Sequence, residues 1–304
     1  MTQDSPPVWR SMLFVPVHVE RFVAKAADCS ADAVILDLED SVPPSEKARA
    51  RGLVRAAAAA VSRQGADVLV RINRPLPEAL ADIEASIGLG VAALMLPKIA
   101  GPEHVRLLAE VIDEVERRHG RRLGATRLVA MVETADAYFK MREIAGASPR
   151  LVGMTLGAED FALSVGMVPE PEGLLHPKLE MVIAARAAGI LPLGFVGSVA
   201  DYRDPAAVTA TIRRSKRLGF VGAPCIHPSV VPILNREFSP AAEEVNEARE
   251  LLAAFDTGLA KGLGAVAHRG RMIDLPIVER ARQVLAVHQQ IQSRENRTGG
   301  ERRD

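Results

Sequence analysis

Carboxylates that follow two consecutive apolar segments are the residues best suited to chemistry. Residues 128–132 lead directly into Glu133, and residues 151–156 lead through two small residues into Glu159 and Asp160. Segments this short and this apolar are typical of parallel strands that are buried on both faces. Acids just beyond the carboxyl ends of such strands lie where β/α folds place their active sites. Two carboxylates are also what a catalytic Mg²⁺ usually receives from a protein, its other ligands being water and substrate oxygens.

A purely structural explanation exists for each of these acids. An acid in the first turn of a helix is favoured by the unpaired N–H groups and by the helix dipole. Two acids at successive strand ends favour the metal interpretation. Spacing alone leaves Glu159 and Asp160 as equal candidates for the second ligand.

Charged residues also follow the second and third apolar segments. Glu39 and Asp40 close the sequence Asp37-Leu38-Glu39-Asp40, and we predict that they hydrogen-bond water around the ion, although a loop with a helix cap is equally compatible. Arg71 ends the third segment, where an unpaired guanidinium would be costly to bury. A salt bridge to an acid such as Glu39 would satisfy it. We favour a role in stabilising negative charge on an enolate or carboxylate oxygen.

Three further residues carry weaker signals. Lys98 ends the fourth segment and is predicted to form a structural ion pair rather than a Schiff base, and His227 is predicted to be a turn or core residue. Asp274 precedes the last helical pattern and suits an N-cap with Pro276 in the first turn. Because it lies on a glycine-rich extension, Asp274 is also a candidate acid carried by a lid.

The elements that must position these residues alternate along the chain. Eight apolar segments with helical patterns between them predict an α/β fold, a (β/α)₈ TIM barrel over residues 9–235, with a doubly wound sheet as the alternative. A C-terminal helical lid segment is predicted for residues 236–292 and a disordered tail for residues 293–304. The predicted strands are residues 12–15, 33–38, 68–72, 92–96, 128–132, 151–156, 190–195 and 220–226.

Composition excludes several classes of partner. Lys plus Arg equal Asp plus Glu at 38 each, so no global field would recruit nucleic acid or an anionic membrane. Cys29 and Cys225 have no metal or redox spacing, and the first residues lack the pattern of a signal peptide. No apolar stretch is long enough to span a bilayer. These features predict a cytoplasmic protein whose partners are small molecules and not nucleic acid or membrane.

Together the motifs identify a family. The sequence resembles the HpcH/HpaI aldolase/citrate lyase family over roughly residues 9–287, in its branch of citrate lyase β-subunit-like proteins and malyl-CoA or citramalyl-CoA lyases. Each motif is short, but their order and spacing are specific. The motifs are residues 10–16, 37–42, 46–47, 70–73, 96–98, 132–135, 156–161, 226–228 and 272–274.

The resemblance implies a Mg²⁺-dependent carbon–carbon lyase, with Mn²⁺ as an alternative ion, that joins or separates an acyl-CoA enolate and a 2-oxo acid. The expected substrate is a 3-hydroxy-diacid CoA thioester such as citramalyl-CoA or malyl-CoA. Glu133 and Asp160 match the family's metal ligands, Arg71 its oxyanion-stabilising arginine, and Glu39 and Asp40 the acids around the ion.

The resemblance also implies a homo-oligomer. Asp274 matches an acid on a C-terminal lid that completes a neighbouring subunit's site, which predicts a homotrimer or hexamer. Arg10, together with Arg71 and Glu133, is predicted to bind substrate. Three alternatives remain: a citrate lyase β-subunit acting on a citryl thioester of an acyl-carrier protein, a CoA-independent metal-dependent pyruvate aldolase, and a non-catalytic paralogue.

Overall fold

A computed structural model describes residues 6–198, 202–260, 266–268 and 271–300. The chain divides into two compact units, residues 1–238 and 239–304. The first unit contains eight parallel strands in the order β7-β6-β5-β4-β3-β2-β1-β8. The strands are β1 (Ser11–Pro16), β2 (Ala33–Asp37), β3 (Asp67–Arg71), β4 (Val91–Leu96), β5 (Arg127–Val132), β6 (Leu151–Leu156), β7 (Leu191–Leu193) and β8 (Ala223–Cys225).

The sheet closes on itself between β7 and β8. Leu193 and Gly222 form a parallel bridge, and the N–H of Gly194 donates to the carbonyl of Gly222 at 2.8 Å. A Cβ on Gly222 would lie 1.8 Å from the carbonyl oxygen of Trp9, so only glycine permits this approach of the backbones. The predicted (β/α)₈ barrel is confirmed.

The last two strands are shorter than predicted. β7 covers three residues of the predicted 190–195, and β8 covers three of the predicted 220–226. Each contains a proline, Pro192 or Pro224, which has no N–H to give to the ladder. Gly194 then leaves the extended conformation at φ +133°. The apolar pattern locates these strands correctly, whereas the prolines and Gly194 determine where they end.

Alternating side chains along the strands build two apolar layers. Ile35, Met95 and Val129 belong to the cluster inside the barrel, and Val34 and Leu36 belong to the larger cluster between strands and helices. Successive residues of a strand point to opposite faces, so a barrel surrounded by helices buries both sets. This double burial explains why the strands have no polar alternation.

Helices connect the strands and surround them. They are α1 (Glu20–Ala27), α2 (Lys47–Val61), α3 (Leu76–Ser86), α4 (Pro102–Arg118), α5 (Ala135–Tyr138), α6 (Met141–Ala145), α7 (Ala158–Val165), α8 (Pro171–Ala187), α9 (Pro205–Arg217) and α10 (Val231–Phe238). Asp204 caps α9, accepting hydrogen bonds from the N–H groups of Ala206 and Ala207. Glu237 on α10 forms an ion pair with Arg213 on α9, which keeps α10 in the first unit, beyond the predicted limit at residue 235.

The second unit consists of two helices and a hairpin. These elements are α11 (Ala242–Leu259), β9 (Val266–His268), β10 (Arg271–Ile273) and α12 (Leu275–Gly300). Phe255, Ile273 and Val278 form its core. The prediction of disorder from residue 293 is wrong as far as Gly300, because α12 continues and buries Ile291 and Arg294 on one face. Residues 301–304 of that predicted tail lie outside the described residues.

Among the helices that the structure describes, none has the length and apolar character needed to cross a membrane.

Candidate active site

A cavity of about 560 Å³ opens at the carboxyl ends of the barrel strands. Its size lies within the range of small-molecule sites. Apolar residues from several strand ends line part of it, among them Phe14, Met131 and Phe195. The charged residues in its lining are Lys25, Asp37, Asp40, Arg71, Glu133, Glu159, Asp160 and Lys178.

Glu133 follows β5 and is only 2% exposed. The backbone N–H of Lys98 donates to its Oε2 at 2.5 Å, and Lys98 adopts a left-handed φ of +48°, which is uncommon for a residue with a side chain. On the other side, a Cβ on Gly157 would lie 2.6 Å from Oε1 of Glu133. The turns after β4 and β6 therefore fix this carboxylate.

The surroundings of Glu133 disfavour its negative charge. Burial, together with the neighbouring Glu39 and Asp160 carboxylates, raises the pKa of Glu133 to about 7, against the opposing hydrogen bond and charge of Lys98. Nearby positive charge would relieve this cost.

Asp160 lies in the first turn of α7 with a partly exposed side chain, 4.0 Å from Nζ of Lys98. Its charge acts on Glu133, and both line the cavity. Glu159, the neighbour that sequence spacing could not separate from Asp160, instead accepts a hydrogen bond from Ser198 at 2.7 Å. The two acids of this turn thus have different partners.

Arg71 ends β3 and is held by acids from β2 and the loop after it. Its Nε and Nη2 each donate to Asp37 at 2.7 Å, and its Nη1 lies 3.0 Å from Glu39. The guanidinium also lies over the ring of Phe14 at 4.8 Å. The salt bridge to Glu39 considered from the sequence is present, but Asp37 is the main partner, and our sequence reasoning gave it no role. Asp37 and Arg71 are in register as the last residues of adjacent strands. Their positions at the ends of consecutive predicted strands could have indicated this pairing.

Lys98 forms the ion pair that the sequence predicts. Its Nζ lies 2.7 Å from Glu39 and 3.2 Å from Asp40. These acids raise the pKa of Lys98 despite the opposing effect of its partial burial. Oε2 of Glu39 is buried without a well-aligned hydrogen bond. Glu39, Asp40, Arg71 and Lys98 are thus brought together as one network.

The charges and ligand types of this cluster fit a divalent cation. Within the described residues no group of three or more His, Cys, Asp or Glu side chains is placed to hold a metal ion. Mg²⁺ is usually bound by only one or two carboxylates, together with water and substrate oxygens. Glu133 is buried among like charges, and the acids outnumber the cations beside them. The acids are Asp37, Glu39, Asp40, Glu133 and Asp160; the cations are Lys47, Arg71 and Lys98.

Arg10 is at the opposite end of the barrel, and the prediction that it binds substrate is wrong. It immediately precedes β1, and its guanidinium donates to Asp32 at 2.8 and 2.9 Å. Both side chains are buried. A residue before a parallel strand lies at the amino end of the sheet, and this signal was present in the sequence.

Lys178 was missed by the sequence analysis, although it lines the cavity and is 4% exposed. It lies on α8 at helical spacing with the buried Leu174, Met181 and Ala185, which was the available signal. His227 behaves as predicted for a turn residue: its Nδ1 lies 2.7 Å from Oγ of Ser229, and its ring stacks on Tyr202.

Asp274 belongs to the second unit and begins α12. Its Oδ1 accepts a hydrogen bond from the N–H of Ile277 at 3.3 Å, as expected for an N-cap. Its neighbours Met272 and Leu275 are 72% and 62% exposed. The lid role of Asp274 stays a prediction.

Comparison with known proteins agrees with this geometry. The sequence profile of the HpcH/HpaI aldolase/citrate lyase family matches residues 10–228. Citrate lyase subunit beta of Escherichia coli (strain K12) is 35% identical over 280 residues, covering 91% of this chain and 92% of the relative. L-malyl-CoA/beta-methylmalyl-CoA lyase of Cereibacter sphaeroides (strain ATCC 17029 / ATH 2.4.9) is 34% identical over 304 residues, covering 92% and 95%.

A solved structure gives the same result. The crystal structure of protein CitE from Mycobacterium tuberculosis in complex with magnesium, acetoacetate and coenzyme A is 32% identical, with a TM-score of 0.71, covering 91% of this chain and 97% of that one. The resemblance predicted from the motifs is confirmed, and the chain belongs to the HpcH/HpaI aldolase/citrate lyase family.

Proposed function

We propose that this protein is a Mg²⁺-dependent carbon–carbon lyase that separates a 3-hydroxyacyl-CoA thioester into an acyl-CoA and a 2-oxo acid. Malyl-CoA and citramalyl-CoA are the simplest such substrates. The observation that carries the proposal is the juxtaposition of Glu133 and Asp160 beside Arg71 at the carboxyl end of the barrel. Membership of a family of lyases and aldolases supports the reaction class.

In this proposal Glu133 and Asp160 hold the ion. When bound, Mg²⁺ would lower the pKa of the substrate hydroxyl and fix the bond to be broken. Glu39 and Asp40 would accept hydrogen bonds from the water around it. The complex of the M. tuberculosis relative with magnesium and coenzyme A supports both the ion and the thioester.

Arg71 has the properties needed to stabilise the enolate. In carbon–carbon cleavage the substrate hydroxyl gives its proton to water and becomes the carbonyl of the 2-oxo acid. The electron pair of the broken bond passes to the thioester oxygen, which becomes negative. A guanidinium has five N–H groups, and among the described residues the close contacts to Asp37 and Glu39 use three of them. Asp40 lies farther away, at 3.8 Å from Nη1, so two N–H groups would be available to the developing oxyanion. Asp37 fixes the orientation of Arg71 before substrate arrives, which is the condition for effective electrostatic stabilisation.

Asp274 is proposed to protonate the α-carbon of the enolate, and to do so in a neighbouring subunit of a homotrimer or hexamer. It is exposed between the large apolar side chains of Met272 and Leu275, and such a segment is suited to covering another surface. Removing an acid–base group of this kind typically lowers the rate by about 10²–10⁴.

The direct test is a Mg²⁺-dependent assay of malyl-CoA, citramalyl-CoA and citryl-CoA cleavage. Glu133→Gln and Asp160→Asn should lose both turnover and Mn²⁺ binding. Glu103→Gln, an exposed glutamate on α4, is the matched control and should retain both. Tight Mn²⁺ binding by Glu133→Gln would refute the metal site. Wild-type protein that cleaves none of the thioesters would refute the activity.

Complementation tests the action of Asp274 in trans. Asp274→Ala and Glu133→Gln are inactive alone in this proposal, but a mixed oligomer would contain sites with intact Glu133 and an intact Asp274 from the neighbour. Co-expression should therefore restore part of the turnover. A chain that sediments as a monomer, or mixed oligomers without activity, would contradict action in trans.

A further inference from the structure

Lys178 is a buried cation in the cavity that the proposed chemistry does not use. It lies on the buried face of α8 and is 4% exposed, although lysine is rarely buried to this extent without an ionic partner. Its Nζ donates to the carbonyls of Phe195 and Gly197 at 2.7 and 2.5 Å. An ammonium group has three protons, so among the described residues one has no hydrogen-bond acceptor, although the centre of the Phe195 ring lies 5.7 Å from Nζ.

No carboxylate contacts Lys178 within the part of the chain that the structure describes. Glu159 is the acid whose charge acts on it, but the two side chains form no ion pair in the described residues, and Glu159 accepts a hydrogen bond from Ser198. Burial lowers the pKa of Lys178 to about 8, and Glu159 only partly opposes this. An anion bound beside Lys178 would remove the cost of the buried charge.

The position of Lys178 relates it to the proposed metal site. The carbonyls that hold it follow β7, whereas Asp160 follows β6, the neighbouring strand. Both line the same cavity. The cavity therefore has an acidic side at the ends of β2, β5 and β6 and a buried ammonium at the end of β7. A ligand that reaches both must carry a metal-binding group and a second, anionic group.

We infer that Lys178 is a specificity-determining residue that binds a second carboxylate, on the 2-oxo acid half of the substrate. The bound anion must be small, because Lys178 is almost fully enclosed, and this favours a carboxylate over the phosphates of CoA. The inference rests on the proposed function and refines it. It favours thioesters that release a dicarboxylic 2-oxo acid, as citryl-CoA does, over malyl-CoA and citramalyl-CoA, which release monocarboxylic ones.

Binding of 2-oxo acids to the wild-type protein with Mg²⁺ gives the first test. Oxaloacetate carries the second carboxylate, and 4-methyl-2-oxopentanoate has the same branched shape with methyl groups in place of its oxygens. Calorimetry should show oxaloacetate bound about tenfold more tightly, because the bond to a charged partner is lost in the analogue. Equal affinities for the two acids would overturn the inference even if pyruvate binds and thioesters are cleaved.

Lys178→Met gives the second test, and Lys140→Met, at a half-exposed lysine paired with Asp136, is the matched control. Lys178→Met should weaken oxaloacetate binding about tenfold and change the affinities for pyruvate, 4-methyl-2-oxopentanoate and CoA by less than about threefold. A merely structural lysine would lower all affinities alike, and a lysine that binds CoA phosphates would lower that of CoA alone. Either result would overturn the inference. If Lys178→Met does not fold, the inference is judged by whether the wild-type protein prefers oxaloacetate to 4-methyl-2-oxopentanoate.

Failure of the inference and failure of the proposed function are distinguishable. Wild-type protein that binds pyruvate with Mg²⁺ but shows no preference for oxaloacetate retains the proposed function and refutes the role of Lys178. Wild-type protein that binds no 2-oxo acid with Mg²⁺ refutes both.

Discussion

The two ends of the barrel each bury a glutamate, but one glutamate is fully paired with donors and a cation, whereas the other is surrounded mainly by acids. At the amino end, Glu116 is fully buried, contacts Arg150, and accepts bonds from the N–H groups of Gly124 and Thr126. At the carboxyl end, Glu133 is 2% exposed, accepts one N–H bond from Lys98, and has acids as its further neighbours.

The pKa values express this difference. Burial alone would raise the pKa of either side chain. For Glu116 the contacts with Arg150 and Thr126 outweigh burial and hold the pKa below its ordinary value, whereas for Glu133 neighbouring acids add to burial and raise it to about 7. Complete pairing is typical of a group that stabilises the fold. Incomplete pairing in a cavity is typical of a group that awaits a ligand.

Substitution of Glu133 tests the carboxyl end and should have the largest effect. Glu133→Gln keeps the shape and the bond to Lys98 but removes a proposed metal ligand, so kcat should fall by about 10³ while the protein remains folded. Steady-state kinetics and a urea titration check this. A fully active Glu133→Gln protein would show that the buried glutamate at the carboxyl end has no role in catalysis.

Substitution of Arg150 tests the amino end. Arg150→Met leaves the charge of Glu116 buried without its main partner, which should lower the free energy of unfolding by about 3 kcal/mol. The kcat of the folded variant should match the wild type, because the pair lies at the other end of the barrel. Chemical denaturation and kinetics measure the two quantities. A large loss of kcat with unchanged stability would show that this end takes part in catalysis.

The dependence of metal binding on pH should follow Glu133. Its pKa is about 7 in the folded protein, against an ordinary value of 4.5, so binding a cation below pH 7 must displace a proton. Mn²⁺ affinity should therefore weaken about tenfold for each pH unit below 7. Titrations at pH 6, 7 and 8 check this. An affinity that does not change between pH 6 and 8 would mean that Glu133 is already ionised.

Glu133 should also make folding depend on pH. Between about pH 4.5 and 7 the folded protein retains a proton that the unfolded chain has lost, so this contribution to stability is present at low pH and disappears as the pH rises through 7. The difference in unfolding free energy between wild type and Glu133→Gln isolates it. A difference that grows in favour of the wild type with rising pH would contradict the assignment.

Substitutions of two glycines, one beside the site and one on a helix far from it, should have the smallest effects. Gly157→Ala would place a Cβ 2.6 Å from Oε1 of Glu133 and should weaken Mn²⁺ binding about tenfold as the carboxylate moves. Gly52→Ala on α2 meets nothing within 4 Å and should instead stabilise the protein by about 0.5–1 kcal/mol through helix propensity. Unchanged metal affinity in Gly157→Ala would show that the position of Glu133 is not critical.

Much of the fold and part of the site could be predicted before the structure was known. Eight apolar segments located eight strands, because burial on both faces leaves a strongly apolar pattern. Acids after β5 and β6 had to lie at one edge, because parallel strands end together. The same reasoning, applied to Arg10 before β1, would have placed it at the opposite edge, so that error was avoidable.

The amino-acid sequence alone therefore determined the strands, their common direction, and which strand ends carry acids, since each of these depends on local periodicity and chain order. Tertiary structure decided which charges have partners. The contact of Arg71 with Asp37 requires the register between β2 and β3, Glu159 meets Ser198 from a distant loop, and Lys178 is buried because α8 packs against the end of β7. Such pairings depend on sub-ångström placement of segments that are far apart in the chain, and no local pattern encodes that placement.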